Sequence, residues 1–129
     1  MKNWIGKTIM IIGLIHTIFG FLFIGHIFQE IWNAGLVNTV NGQIEWEFFF
    51  WFTMFGGLLM ILGGLVDWLE KKLSYIPQGL GWGLLIFTAM MLLIMPLSGA
   101  WLMLIPAIGI IIRHKRSKLV VGLIKNETT

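Results

Sequence analysis

The chain reads as an all-α protein, a membrane four-helix bundle with both termini on the cytoplasmic side. Three observations predict this: an unusually apolar composition, three uncharged runs of which the last is long enough for two spans, and basic residues confined to one side of the four spans. Of 129 residues, 57% are apolar and 12% charged, with a mean hydropathy of +0.87. A soluble domain carries about 25% charged residues. Disorder is excluded by the same figures, because it requires low hydrophobicity and high charge. One unit over residues 1–129 is expected, with no second domain.

The first run, 8–28, has no Asp, Glu, Lys or Arg over its 21 residues, which suits a hydrocarbon core of about 30 Å. Lys2 and Lys7 precede it as they would a signal peptide. The run exceeds a signal's apolar region and no small-x-small cleavage site follows, so an uncleaved spanning helix is expected. The second run, Phe48 to Val66, predicts a span over about 47–66 and lies between Glu45 and Glu47 on one side and Asp67, Glu70, Lys71 and Lys72 on the other. From Ile76 to Ile112 there are 37 uncharged residues, enough for two helices, 78–95 and 98–112. Pro96-Leu97-Ser98-Gly99 supplies the turn between them. Gly79, Gly81 and Gly83 weaken the start of the third helix, and Pro106 is expected to kink the fourth. A re-entrant hairpin is the alternative for this last pair.

With four crossings, Lys2, Lys7, Lys71, Lys72, Arg113, Lys115, Arg116, Lys118 and Lys125 fall on one side, beside Asp67, Glu70 and Glu127. The opposite side keeps only Glu30, Glu45 and Glu47. The positive-inside rule then places both ends in the cytoplasm of a multi-pass cell-membrane protein. Tryptophan favours the headgroup level, and Trp4, Trp68 and Trp82 lie at inner ends while Trp32, Trp46 and Trp101 lie at outer ends. Arg113, His114, Lys115, Arg116 and Lys118 form a basic cluster suited to anionic lipid. No nucleic-acid recognition fold can be built from what remains.

Helices in lipid associate through small residues and interhelical hydrogen bonds. Gly6, Gly13 and Gly20 recur every seven residues in the first helix, and Gly56 with Gly63 and Gly57 with Gly64 form two rows in the second. These rows mark either close packing or a cleft for a ligand. His16 is the ionisable group nearest the middle of a span, positioned to bond across the seam to Thr53, Ser98 or a backbone carbonyl, or to contact a ligand. The candidate ligand-binding set is His16, Gly13, Gly20, Thr53, Gly56 and Met60. At the outer end, His26 and Glu30 are four apart on one helical face, with Glu45 and Glu47 opening the next helix. His26, Glu30 and Glu47 are candidate ligands for a metal cation or contacts for a polar headgroup. Phe48 to Phe52 with Phe55 cover every direction of their helix and read as interface anchors or as an aromatic wall.

No catalytic residue is assigned. Zero cysteines remove disulfides and thiolate chemistry, and neither a Gly-x-Ser-x-Gly elbow, a His-Glu-x-x-His pair nor a phosphate loop is present. His16 and His26 are ten residues apart, about 15 Å along one helix, so they cannot hold one haem iron between them. The first span also lacks the carboxylate that small multidrug exporters place there. No cofactor is assigned.

Phe50-Trp51-Phe52 with Gly56-Gly57, Pro77-x-Gly79-Leu80-Gly81-Trp82, and Pro96-Leu97-Ser98-Gly99-Ala100-Trp101 together resemble a family of small bacterial four-span integral membrane proteins of unknown function. In size and layout the chain is also loosely similar to DoxX-like proteins. The first resemblance implies a bacterial inner membrane and brings no activity. The expected function is non-enzymatic: binding or helping to move an apolar or amphipathic small molecule or lipid, or acting as an accessory subunit, with membrane lipids as partners. A redox or metal-dependent membrane enzyme and a purely structural protein are the alternatives. Four helices in so short a chain leave little room for a cavity, which favours a homo-oligomer.

Overall fold

The structure is a computed structural model that describes residues 3–73 and 76–113. All of its regular structure is helical, with no strand among the described residues. Helix α1 spans Ile5–Ile24, α2 His26–Asn33, α3 Ile44–Lys72 and α4 Gln78–Ile94. A 3-10 turn, Gly99–Met103, then leads into α5 over 104–113. Both α1 and α3 are long and apolar enough to cross a membrane.

The fold is organised by one antiparallel pair. Gly6 of α1 lies against Gly63 and Asp67 of α3, Gly13 against Gly56 and Met60, and Gly20 against Phe52 and Thr53. Each advance of seven residues along α1 is matched by a retreat of about seven along α3. A methyl group on Gly13 would come within 2.8 Å of the Gly56 carbonyl oxygen, and one on Gly63 within 2.8 Å of the Gly6 carbonyl oxygen. The two backbones are therefore in direct contact, which only glycine permits at these positions. The second glycine row expected on α3 makes no such seam. Gly57 and Gly64 have open space where a side chain would go.

Three apolar layers stack along this pair. Ile5, Ile9, Val66, Ile76 and Ile110 form the first, with Leu80 and Leu84 packed against it. Ile12, Leu59 and Met103 form the second, and Ile27, Ile31 and Phe49 the third. Helices α4 and α5 form a hairpin that supports only the first two layers. Gly81 lets α4 approach Ile110 and Ile111, and Gly109 seats the Trp4 ring. Beyond Thr88 the hairpin stands clear, with Leu93 at 84% and Ile94 at 77% exposure. At its tip the Pro96 carbonyl accepts the Trp101 indole N–H at 2.8 Å, and the Met95 carbonyl accepts the Ser98 N–H at 3.0 Å.

The break after α1 and the role of Pro106 differ from expectation. The uncharged run 8–28 is broken, because α1 stops at Ile24 and α2 starts anew after Gly25. At Gly25 the Phe21 carbonyl approaches so closely that any side chain would collide with it. The other difference concerns Pro106, which kinks nothing within α5. It sits in the first turn of that helix, where a missing N–H costs little, and the irregularity falls just before it as the 3-10 turn.

The seam makes a discriminating prediction. Gly13→Ala and Gly63→Ala should each destabilise the purified protein by about 1–3 kcal/mol through overpacking, whereas Gly64→Ala should be neutral or stabilising. Unfolding titrations in detergent read the difference.

Candidate functional site

Polar chemistry gathers at three levels of the bundle. At the middle level His16 projects from α1 into the α1–α3 seam, where its ring stacks on Phe52 with centroids 3.9 Å apart and meets Phe55 edge-on at 5.6 Å. Its Nε2 donates to the Phe52 carbonyl at 3.2 Å. A carbonyl only accepts, so Nε2 carries the hydrogen in this contact. The cross-seam bond thus goes to a backbone carbonyl, and neither Thr53 nor Ser98 is the partner. Thr17 bonds back to the Gly13 carbonyl at 3.0 Å. The Thr53 hydroxyl, beside Gly20, is buried with no hydrogen-bond partner.

The structure brings His16, Gly13, Gly20, Thr53, Gly56 and Met60 together on this seam. It does not leave a cleft between the helices at Gly13 and Gly56, where backbone meets backbone. His16 itself is half-buried at the edge of the seam, with Phe19 and Phe23 exposed on the neighbouring part of α1.

At the loop end, His26, Glu30 and Glu47 are held apart by other partners. Glu30 accepts the Trp46 indole N–H at 3.1 Å, and Glu47 accepts the Gly42 N–H at 2.8 Å. His26 is exposed on α2. Among the described residues no three His, Cys, Asp or Glu side chains gather as a metal-binding group. Glu30 instead ties α2 to the start of α3, and Glu47 ties the loop after α2 to it.

The third level carries a constellation that composition and motif reading missed. Glu70, 1% exposed at the end of α3, accepts the Gly6 N–H at 2.9 Å and pairs through its other oxygen with the Arg113 guanidinium. One carboxylate therefore caps the start of α1, where orphan N–H groups and the helix dipole favour an anion, and ties it to the end of α5. Trp4, the residue before α1, offers no side-chain cap of its own. Asp67 is also buried and pairs with Lys71 one turn on, its second oxygen unpartnered. A signal for Glu70 does exist: it continues the seven-residue spacing of Gly56 and Gly63, which places it on the seam face. Of the basic cluster after the last helix only Arg113 is described; His114, Lys115, Arg116 and Lys118 lie outside the described residues.

Comparison with known proteins gives one finding. Residues 1–117 match a family described as "Family of unknown function (DUF6463)", in agreement with the resemblance to a family without an activity. No curated protein and no solved structure matches the chain.

The buried pair sets a clear expectation. Glu70→Gln should cost about 3–5 kcal/mol, because it strands the Arg113 charge in a buried setting. Adding Arg113→Met to that variant should restore part of the loss. A double-mutant cycle on thermal unfolding of the purified protein measures the coupling.

Proposed function

The chain belongs to this family of unknown function, and we propose that it is a non-enzymatic integral membrane protein that binds an amphipathic molecule laterally at His16. The observation that carries the reading is the isolation of this imidazole. No other ionisable side chain occurs between Lys7 and His26 or between Glu47 and Asp67. Ionisable groups at such depth are expensive and mark functional sites by default. The unpartnered Thr53 hydroxyl beside it adds a polar atom whose burial costs about 1–3 kcal/mol until something satisfies it.

The membrane placement rests on exposure. Only 17% of the most apolar stretch of α1 and 28% of that of α3 are buried, whereas core helices of soluble proteins are mostly buried. On α3, Leu58, Ile61 and Leu65 form an exposed apolar stripe between Trp51 and Trp68. Those tryptophans are 17 positions apart in the sequence, about 25 Å along a helix and near the thickness of a hydrocarbon core. Glu47 lies beyond one and Lys71 and Lys72 beyond the other. In this arrangement α1, α3, α4 and α5 cross a bacterial cell membrane with both termini inside, and α2 lies at the outer interface with Ile27 and Ile31 turned inward. The α4 and α5 arms are the short ones, with 17 residues in α4, about 25 Å by rise.

Two measurements test the reading. Native mass spectrometry of detergent-extracted protein should show a retained lipid or small molecule whose occupancy drops several-fold in His16→Leu and in Thr53→Val. Unchanged occupancy in both variants sinks the seam as a binding site. Separately, reporter fusions near residue 40 and at the carboxyl end should report opposite sides of the membrane.

A further inference from the structure

We infer that the loop end of the molecule holds a second site, on the side of α3 away from α1, which takes the ammonium head of an alkylammonium amphiphile. A cleft of about 360 Å³ opens there between the loop after α2 and the first turns of α3. Its walls include Asn38 and Asn41 from the loop, and Glu47, Phe50 and Trp51 from the helix. At 100° per residue, Glu47 and Trp51 share a face that points well away from Phe49 and Gly56, which meet α2 and α1.

Shape, charge and chemistry all select the same occupant. The volume sits at the small end of ligand pockets, which run to about 300–1,000 Å³, so it admits a headgroup and leaves a chain outside. Glu47 spends one oxygen on the Gly42 N–H, and its other oxygen takes no bond among the described residues. Phe50 and Trp51 meet edge to face at 5.6 Å and 79°, forming an aromatic corner, and Trp51 is 68% exposed. A free carboxylate beside an exposed indole face is the pairing that holds an ammonium by charge and by cation–π attraction. No Lys or Arg occurs from Thr8 to Glu70, while Glu30, Glu45 and Glu47 cluster at this end. The carboxylates therefore repel an anionic head. Asn41 donates one amide hydrogen to Asn38 at 3.1 Å and keeps its second for a ligand oxygen. Below Trp51 the exposed Met54 and Leu58 continue the same face, a track for the alkyl chain.

The ammonium comes either from a membrane lipid with an ethanolamine head or from a free alkylamine. Native mass spectrometry of the full chain in maltoside micelles, with octyltrimethylammonium or octanoate added, tests the chemistry. Adducts are expected with octyltrimethylammonium and not with octanoate. Glu47→Gln should weaken that binding about tenfold and Trp51→Leu several-fold, while Glu45→Gln, which removes the same charge outside the cleft, should change it less than about twofold. Gln at position 47 still accepts the Gly42 N–H, so the loop anchor is kept, and circular dichroism verifies it. Equal binding in wild type and Glu47→Gln, binding of octanoate to the same level, or no adduct in wild type each overturns the proposal. Release from nanodiscs of mixed ethanolamine and glycerol phospholipids then assigns the source: enrichment of the ethanolamine lipid points to the bilayer, and equal retention points to a free alkylamine.

Discussion

The absence of side chains at four places on one seam governs the rest of the structure. Gly6, Gly13, Gly56 and Gly63 let α1 and α3 touch backbone to backbone, and contact this close admits a single antiparallel register. A slide by one residue would drive a bulky neighbour into the facing main chain. The register then decides the polar contacts between α1 and α3. It sets His16 opposite the Phe52 carbonyl, and it delivers Glu70 to the first turn of α1. Dispersion between packed atoms accumulates with closeness, so the same geometry that fixes the register also supplies much of the attraction.

Against this rigid pair the α4–α5 hairpin is fastened mainly at one end. Ile110, Trp4 against Gly109, and the Glu70–Arg113 pair all lie at the end where α1 begins. Toward the tip the hairpin leaves the pair, and its turn satisfies its own polar groups by the Trp101 and Ser98 bonds. A turn that needs nothing from its surroundings is compatible with an apolar environment, where unsatisfied backbone groups are costly. The molecule is thus tight at the end where α1 begins and looser toward the hairpin tip.

Much of the helical plan was legible in uncharged runs bounded by charges, because long apolar segments without breaks have few structural options. The break at Gly25 was not, since Gly25 stands inside an unbroken apolar run and only the folded chain shows how closely the Phe21 carbonyl approaches it. Seven-residue glycine spacing located the seam on α1 but overstated it on α3. Two parallel rows look equivalent in sequence, and only contact with α1 distinguishes Gly56 and Gly63 from Gly57 and Gly64. The partner of His16 is a main-chain oxygen, a group every residue has and no residue advertises. Glu70 was hidden for another reason: a carboxylate followed by two lysines at the end of a run looks like a solvated flank, and its burial follows only from extending the glycine spacing by one more step.

The Glu70–Arg113 pair joins residues 43 apart, and the Gly6 contact joins residues 64 apart. A ribosome releases the chain from its amino end, so α1 and α3 emerge as a complete hairpin while the guanidinium that balances Glu70 has yet to be synthesised. During that interval the carboxylate holds a helix start alone, with Lys71 already engaged by Asp67. Translation of the final helix therefore ends with a fastening step, and assembly acquires a direction in time that the symmetric look of two packed hairpins conceals.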